Sequence, residues 1–161
     1  TGKLLKSIPY KNLKIGYDNA RIMPKSDSEI VFKEEDLNKD FEISNACIAY
    51  CIFTMQFLNR VSRARFLKRV YDGLNEGGAF FLCEKVYQEV GIMQEILSFS
   101  HYDYKLKCFT DEAILKKERD LRYIMKPNTH QQNIELLQCA GFRSITTFWQ
   151  SYNFIGIIAI K

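Results

Sequence analysis

Residues 46–54 read Ala-Cys-Ile-Ala-Tyr-Cys-Ile-Phe-Thr, a nearly unbroken apolar run with no polar face. Such a run predicts a strand of a parallel sheet with helices over both of its faces, because a half-solvated strand would alternate apolar and polar residues. Downstream of it, Phe66, Leu67, Val70, Tyr71 and Leu74 recur at helical spacing. That helix is expected to stop at Asn75, Glu76, Gly77 and Gly78, where glycine tolerates a left-handed cap. Ala79 to Cys83 then reads as the next buried strand. Upstream, Leu13 to Tyr17 and Glu29 to Phe32 are short apolar runs closed by polar residues, and both read as strands. Ala46 to Thr54 would lie central among them.

Beyond Glu84 and Lys85 the pattern turns helical, with Ile92, Met93, Ile96 and Leu97 on one face and Tyr102, Asp103 and Tyr104 just after it. Thr110, ahead of Asp111 and Glu112, reads as the N-cap of a helix reaching about Met125, which Pro127 stops. Asn128 or Thr129 caps the next helix, which turns Ile134, Leu137 and Ala140 inward and ends at Gly141. Ser144 to Gln150 and Asn153 to Ile160 then form a terminal hairpin. The expected fold class is an α/β sandwich with a mostly parallel sheet and one reversed strand. That layout resembles the Rossmann-like class I methyltransferases, although layout alone does not fix chemistry.

The chain of 161 residues, 47% hydrophobic and 14% aromatic, suffices for one core, so residues 1–161 are read as a single domain. A formal charge of +4, spread among nearly as many acids, gives no basic stripe, and direct nucleic-acid binding is not indicated. Cys47, Cys51, Cys83, Cys108 and Cys139 lack paired metal spacing and are expected to be reduced core residues, with no metal site. No apolar stretch reaches the roughly 20 residues of a membrane helix, and no signal-peptide pattern opens the chain. The expectation is a soluble cytoplasmic protein without a membrane partner.

In open parallel sheets ligands sit outside the carboxyl ends of the strands. Asp18, after the first strand, can accept from both hydroxyls of a ribose; it reads equally as a turn residue. Asp36 and Leu37 follow the second strand and could serve an adenine, the carboxylate accepting from the exocyclic amine and Leu37 packing on the ring. With Glu34 and Glu35 they also read as solvated surface. Phe53 to Leu58 would line the floor of the cleft.

The segments FTMQFL at 53–58, YDGLNEGGAFFLCEK at 71–85, HYDYK at 101–105, AGF at 140–142 and FWQSYNF at 148–154 resemble, in sequence and mutual spacing, the bacterial carboxy-S-adenosylmethionine synthases. LxxGG and AGF are common to many methyltransferases, whereas QFL and the WQ-aromatic-NF ending are far more specific. The resemblance implies an enzyme that binds S-adenosylmethionine, with carboxy-S-adenosylmethionine or S-adenosylhomocysteine as alternative occupants, and that takes prephenate as its small-molecule substrate. Prephenate would lose a carboxyl group as carbon dioxide, which the sulfonium methyl, deprotonated to an ylide, captures; the products are carboxy-S-adenosylmethionine and phenylpyruvate. The implied partners are a second copy, in a homodimer, and a transferase that consumes the product to carboxymethylate wobble uridine in tRNA.

Residue by residue, the resemblance places Asp18 and Asn19 as the ribose pair and Asp36 with Leu37 on the adenine side. Gly2, after Thr1, stands at the end of the glycine-rich loop, feeding a helix through Leu4, Leu5 and Ile8; the rest of that loop would precede Thr1. Ile52 stands where the family has a cofactor-contacting asparagine and cannot donate that hydrogen bond. The carboxylate-binding arginine falls in the helix after Thr110, where ungapped counting gives Glu118. Arg119 beside it is the candidate and Arg122 the second, while both also read as a solvated face with Lys116 and Lys117. Only residues 18 to 29 join the first two strands, and Pro24 interrupts them, so further residues are expected after Asn19, since a parallel crossover takes about a dozen or more. Two other readings stay open: an ordinary S-adenosylmethionine-dependent methyltransferase, and a binding protein with a decayed cofactor site.

Overall fold

The computed structural model describes residues 35–161. The apolar run becomes β1 (Ala46–Ile52), and Cys51 turns toward α1 (Arg60–Gly73), which buries Phe66, Leu67 and Val70 at the expected helical spacing. β2 (Leu74–Tyr87) lies parallel to β1, in register from Ile48 opposite Ala79 to Ile52 opposite Cys83. β2 begins earlier than expected, and the reason is local. Leu74 leaves α1 in an extended conformation, so no glycine caps that helix. Gly77, at φ +73°, instead bends β2 where its register against β1 slips. Its N–H donates to the Lys161 carbonyl at 3.1 Å, and Lys161 N–H donates to the Gly78 carbonyl at 3.0 Å. The glycines therefore build a bulge that ties β2 to the chain's last residue.

α2 (Gly91–Lys105) takes in Tyr102, Asp103 and Tyr104, which the sequence pattern placed beyond it. α3 (Asp111–Leu121) begins as expected, with the Thr110 hydroxyl accepting from Ala113 N–H at 3.3 Å, but ends four residues short of Met125 in a looser turn. β3 (Asn128–Thr129) pairs with the end of β2 and leads into α4 (His130–Ala140). There Thr129 and Gln132 exchange side-chain bonds with each other's backbone in a capping box, and Gly141 closes the helix at φ +119°.

β4 (Ser144–Ser151) and β5 (Phe154–Ile160) form the expected hairpin. The sheet order is β1-β2-β5-β4, with β5 antiparallel to both neighbours, so β5 is the one reversed strand. The strands Leu13 to Tyr17 and Glu29 to Phe32 lie outside the described residues, and with them the central position expected of β1.

α1 and α4 cover one face of the sheet. Phe80, Leu82, Ile157 and Ala159 meet Leu67, Val70, Leu137 and Phe142 there in one continuous core, and each of them larger than alanine contributes about 1.5–3 kcal/mol on burial. Among the described residues the other face is less covered: Ile48, Tyr50 and Ile52 stay about half exposed, and Tyr50 stacks on Phe81. The cysteines are free, but only Cys51 is a buried core residue; Cys47, Cys108 and Cys139 are exposed. No helix among the described residues is long and apolar enough to cross a membrane.

Candidate active site

β1 ends at Ile52, and the chain turns sharply across the carboxyl edge of the sheet through Phe53, whose φ is +50°. The turn is held from below by Glu84, the buried acid on β2. One oxygen of its carboxylate accepts the N–H groups of Thr54 at 3.2 Å and Met55 at 2.9 Å, and the other accepts that of Gln56 at 2.9 Å. Burial pushes this carboxyl up to about 7, although the three N–H groups and the Arg63 charge pull the other way. The same burial, helped by Glu84, raises the neighbouring Cys51 thiol well above its ordinary value.

Arg63 fixes the far side of the turn. Its guanidinium, fully buried, donates to the carbonyls of Gln56, Leu58 and Lys126 and to the side chain of Asn128. Gln56 completes the frame by accepting from Lys85 N–H at 3.0 Å. Phe53 to Leu58 thus form a braced turn, with Thr54, Met55 and Gln56 pinned through their backbone.

Lys85, the residue after Glu84, points to the opposite face of β2, and there a second group assembles. Glu118 of α3 places one oxygen 3.3 Å from Lys105 Nζ and the other 3.8 Å from Lys85 Nζ. Burial lowers the Lys85 ammonium; Glu118 opposes that shift, and Lys105 adds to it. His101, one turn before Lys105, is also lowered, first by burial and then by the two lysines. Its ring lies 5.1 Å from that of Phe154 and 5.3 Å from that of Tyr152, and Phe154 meets Phe53 edge-on at 5.6 Å. Charge and aromatic surface therefore converge beside the carboxyl ends of β1 and β2, the ligand position of an open α/β sheet.

No family model matches the chain. The carboxy-S-adenosyl-L-methionine synthase of Staphylococcus epidermidis is 41% identical over 172 aligned positions, covering 100% of this chain and 75% of that protein. This chain belongs to the carboxy-S-adenosyl-L-methionine synthase family. Synthases of Methylococcus capsulatus and Nautilia profundicola match at 35% and 32% identity, over 78% and 91% of the chain. The chain spans 52% and 66% of those two synthases. The alignment with the Staphylococcus synthase is longer than the chain, so that relative carries residues within the matched span that this one lacks.

Among solved structures, human N-acetylserotonin methyltransferase with S-adenosylmethionine matches with a TM-score of 0.57 at 17% identity, over 90% of this chain and 37% of that one. A SAM-dependent methyltransferase of Thermotoga maritima matches with a TM-score of 0.54 at 16% identity, over 82% of this chain and 64% of that one. These likenesses establish the fold. Synthase membership makes the chain an enzyme carried on the sandwich of the S-adenosylmethionine-dependent methyltransferases.

Gly2, Asp18 and Asn19, assigned to the synthase cofactor site from sequence, lie outside the described residues. Asp36 is exposed and folds onto Asn38, whose backbone and side-chain N–H groups donate to its carboxylate at 3.0 and 3.2 Å. Those bonds lower its pKa. Leu37 is buried in the core. Ile52 is exposed at the end of β1, and its carbonyl accepts the Thr54 hydroxyl at 2.9 Å. Arg119 is exposed on α3 and Arg122 is that helix's exposed C-cap; the α3 residue turned toward Lys85 and Lys105 is Glu118.

Glu84, Lys85, His101 and Lys105 were not among the candidates from sequence. Glu84 and Lys85 carried a usable signal, a charged pair breaking the buried run of β2 at its carboxyl end. Among the described residues no three or more His, Cys, Asp or Glu side chains gather as a metal ion would require.

Proposed function

We propose that this chain makes carboxy-S-adenosylmethionine from S-adenosylmethionine and prephenate, whose ring gives up its carboxyl group as carbon dioxide and its hydroxyl, with the methyl proton, as water to leave phenylpyruvate, and that its product supplies a tRNA uridine carboxymethyltransferase in the cytoplasm. Family membership carries this reading. Leu37, the residue after the exposed Asp36, lines a mostly apolar hollow with Ile43, Ala49, Tyr50, Thr54 and Phe66. In this reading Asp36 would accept from the adenine amine, with Leu37 on the same side. When bound, S-adenosylmethionine supplies the activated methyl carbon that receives the carboxyl group. The chain's own part is to bind, orient and keep water away, and the pinned turn from Thr54 to Gln56 suits that role. Asp18 and Asn19 are assigned the ribose, Gly2 the methionine end, and Arg119 an approach to the new carboxylate.

The test is mass spectrometry of the complete protein incubated with S-adenosylmethionine and prephenate. The expected result is a cofactor heavier by one carbon dioxide, with phenylpyruvate released. Unchanged cofactor sinks the proposal, as does methyl transfer leaving S-adenosylhomocysteine. We also propose a homodimer, supported by an apolar face of α2 at Ile92, Met93, Ile96 and Phe99 that the described residues leave exposed.

A further inference from the structure

We infer that Lys85 and Lys105 form the subsite for a carboxylate of the co-substrate, and that Glu118 is an internal carboxylate that holds the two ammonium groups together until that ligand displaces it. The inference rests on the proposed reaction. Its observations are geometric and independent of the cofactor site.

The two lysines arrive from different elements, Lys85 from the carboxyl end of β2 and Lys105 from the last turn of α2. Their side chains are 14% and 19% exposed, and that of Glu118 is 22% exposed. One carboxylate with an oxygen toward each ammonium leaves the group one negative charge short. In a partly dry setting that imbalance favours a second anion, because an ammonium held away from water without a partner is costly. Among the described residues, the titratable groups beside the lysines other than Glu118 do not supply one. Burial and both lysines favour the neutral form of His101, and burial and Glu118 favour the neutral phenol of Tyr102.

The contacts of Glu118 are also loose for a permanent bridge. At 3.8 Å, Lys85 Nζ lies beyond hydrogen-bond reach of it, and the only hydrogen bond in the triad is the one from Lys105 at 3.3 Å. A ligand carboxylate could take a shorter bond from each ammonium. Its remaining surface would meet the apolar rings of Phe53 and Phe154 and the ring faces of His101 and Tyr152, whose N–H and O–H can each add one hydrogen bond. The class selected is an organic acid carrying a six-membered ring, which prephenate and phenylpyruvate both satisfy.

The experiment compares the wild-type complete protein with Lys85→Met, Lys105→Met, Lys85→Arg and Glu118→Gln. Calorimetry reads phenylpyruvate binding, and steady-state assays read KM for prephenate and for S-adenosylmethionine. Each methionine variant is expected to weaken phenylpyruvate binding and raise the prephenate KM by about tenfold, the scale of one lost charge-assisted bond. The S-adenosylmethionine KM should hold, and Lys85→Arg should restore most of the loss. Glu118→Gln, which removes the competing carboxylate, is expected to tighten phenylpyruvate binding by roughly threefold or more. The subsite is overturned if folded methionine variants bind phenylpyruvate as the wild type does, or if Glu118→Gln weakens binding as they do. Wild-type product formation with unaffected lysine variants removes the subsite and keeps the reaction. Lysine-dependent phenylpyruvate binding without carboxylated cofactor does the reverse.

Discussion

Glu84 sets a desolvation penalty against three backbone N–H groups, and the penalty wins, so the carboxyl titrates near 7 rather than near its ordinary 4.5. Between those two values the folded protein holds a proton that the unfolded chain has released. Stability from this group is therefore complete below about pH 4.5 and is lost as pH rises through about 7, by roughly 3 kcal/mol. Glu84→Gln is uncharged throughout. It keeps the oxygen facing Thr54 and Met55 but sets an amide N–H₂ against Gln56 N–H, costing about 1–3 kcal/mol. In thermal unfolding between pH 4.5 and 8, the variant is expected to start below the wild type and to close the gap as pH rises. Parallel curves would show that Glu84 stays ionised in the folded state and that its N–H bonds outweigh its burial. The same residue bears on the proposed function, because its carboxyl accepts the N–H groups of Thr54, Met55 and Gln56 alongside the bonds from Arg63 and Lys85.

At the scale of elements, α4 shows how much one terminal residue decides. Gly141 closes the helix at φ +119°, and a Cβ there would fall 2.8 Å from the Tyr71 ring, which itself packs edge-on against Phe142. Gly141→Ala should cost about 1–3 kcal/mol from the backbone alone, with the clash adding to it. Gly91→Ala, at the first turn of α2 with open space around its Cβ position, should be neutral or stabilising by up to about 1 kcal/mol. Urea unfolding of the two variants checks both, and equal losses would mean that Gly141 is not held by its conformation. The same contrast explains what could be read in advance. α4 and the hairpin were legible because Gly141 and the apolar run after Asn153 each carry a single meaning, while the cap stayed open between Asn128 and Thr129 until the capping box with Gln132 selected Thr129. Asn75 to Gly78 carry two, a helix cap or a strand bulge, and only the bonds to Lys161 select the bulge. The ionic triad was not legible at all: Lys85, Lys105 and Glu118 sit on three elements, and no spacing along the chain joins them. Asp36 and Leu37 stood out through family resemblance, since an acidic run by itself reads as surface.

Across the whole molecule, α2 is attached in an unusual sense: its inward stripe is polar and its outward stripe apolar. Gln94, Ser98, His101 and Lys105 recur on one face and reach Gln88, Asn153, the Tyr152 and Phe154 rings, and Glu118. Ile92, Ile96 and Phe99, spaced by four and three residues on another face, are 60%, 50% and 64% exposed, and no residue of the helix is buried. A helix that the described residues hold through polar and ring contacts, with none of its own residues buried, gains little from the hydrophobic effect until its apolar face is covered. In the proposed homodimer a second copy would do this with one patch used twice, as a two-fold interface requires. A stable pair needs about 800 Å² from each partner, so residues flanking α2 must join the contact, and the exposed Val90, Leu106 and Phe109 lie at its two ends. Ile96→Asp places a charge at the middle of that patch. Analytical ultracentrifugation is expected to find the wild type as a dimer and the variant as a monomer with an unchanged circular dichroism spectrum. A monomeric wild type removes the proposal, and a dimeric variant moves the interface elsewhere. Because Lys105 and His101 ride on the same helix, the monomeric variant should also bind phenylpyruvate more weakly while keeping its affinity for S-adenosylmethionine, linking assembly to the carboxylate subsite through α2.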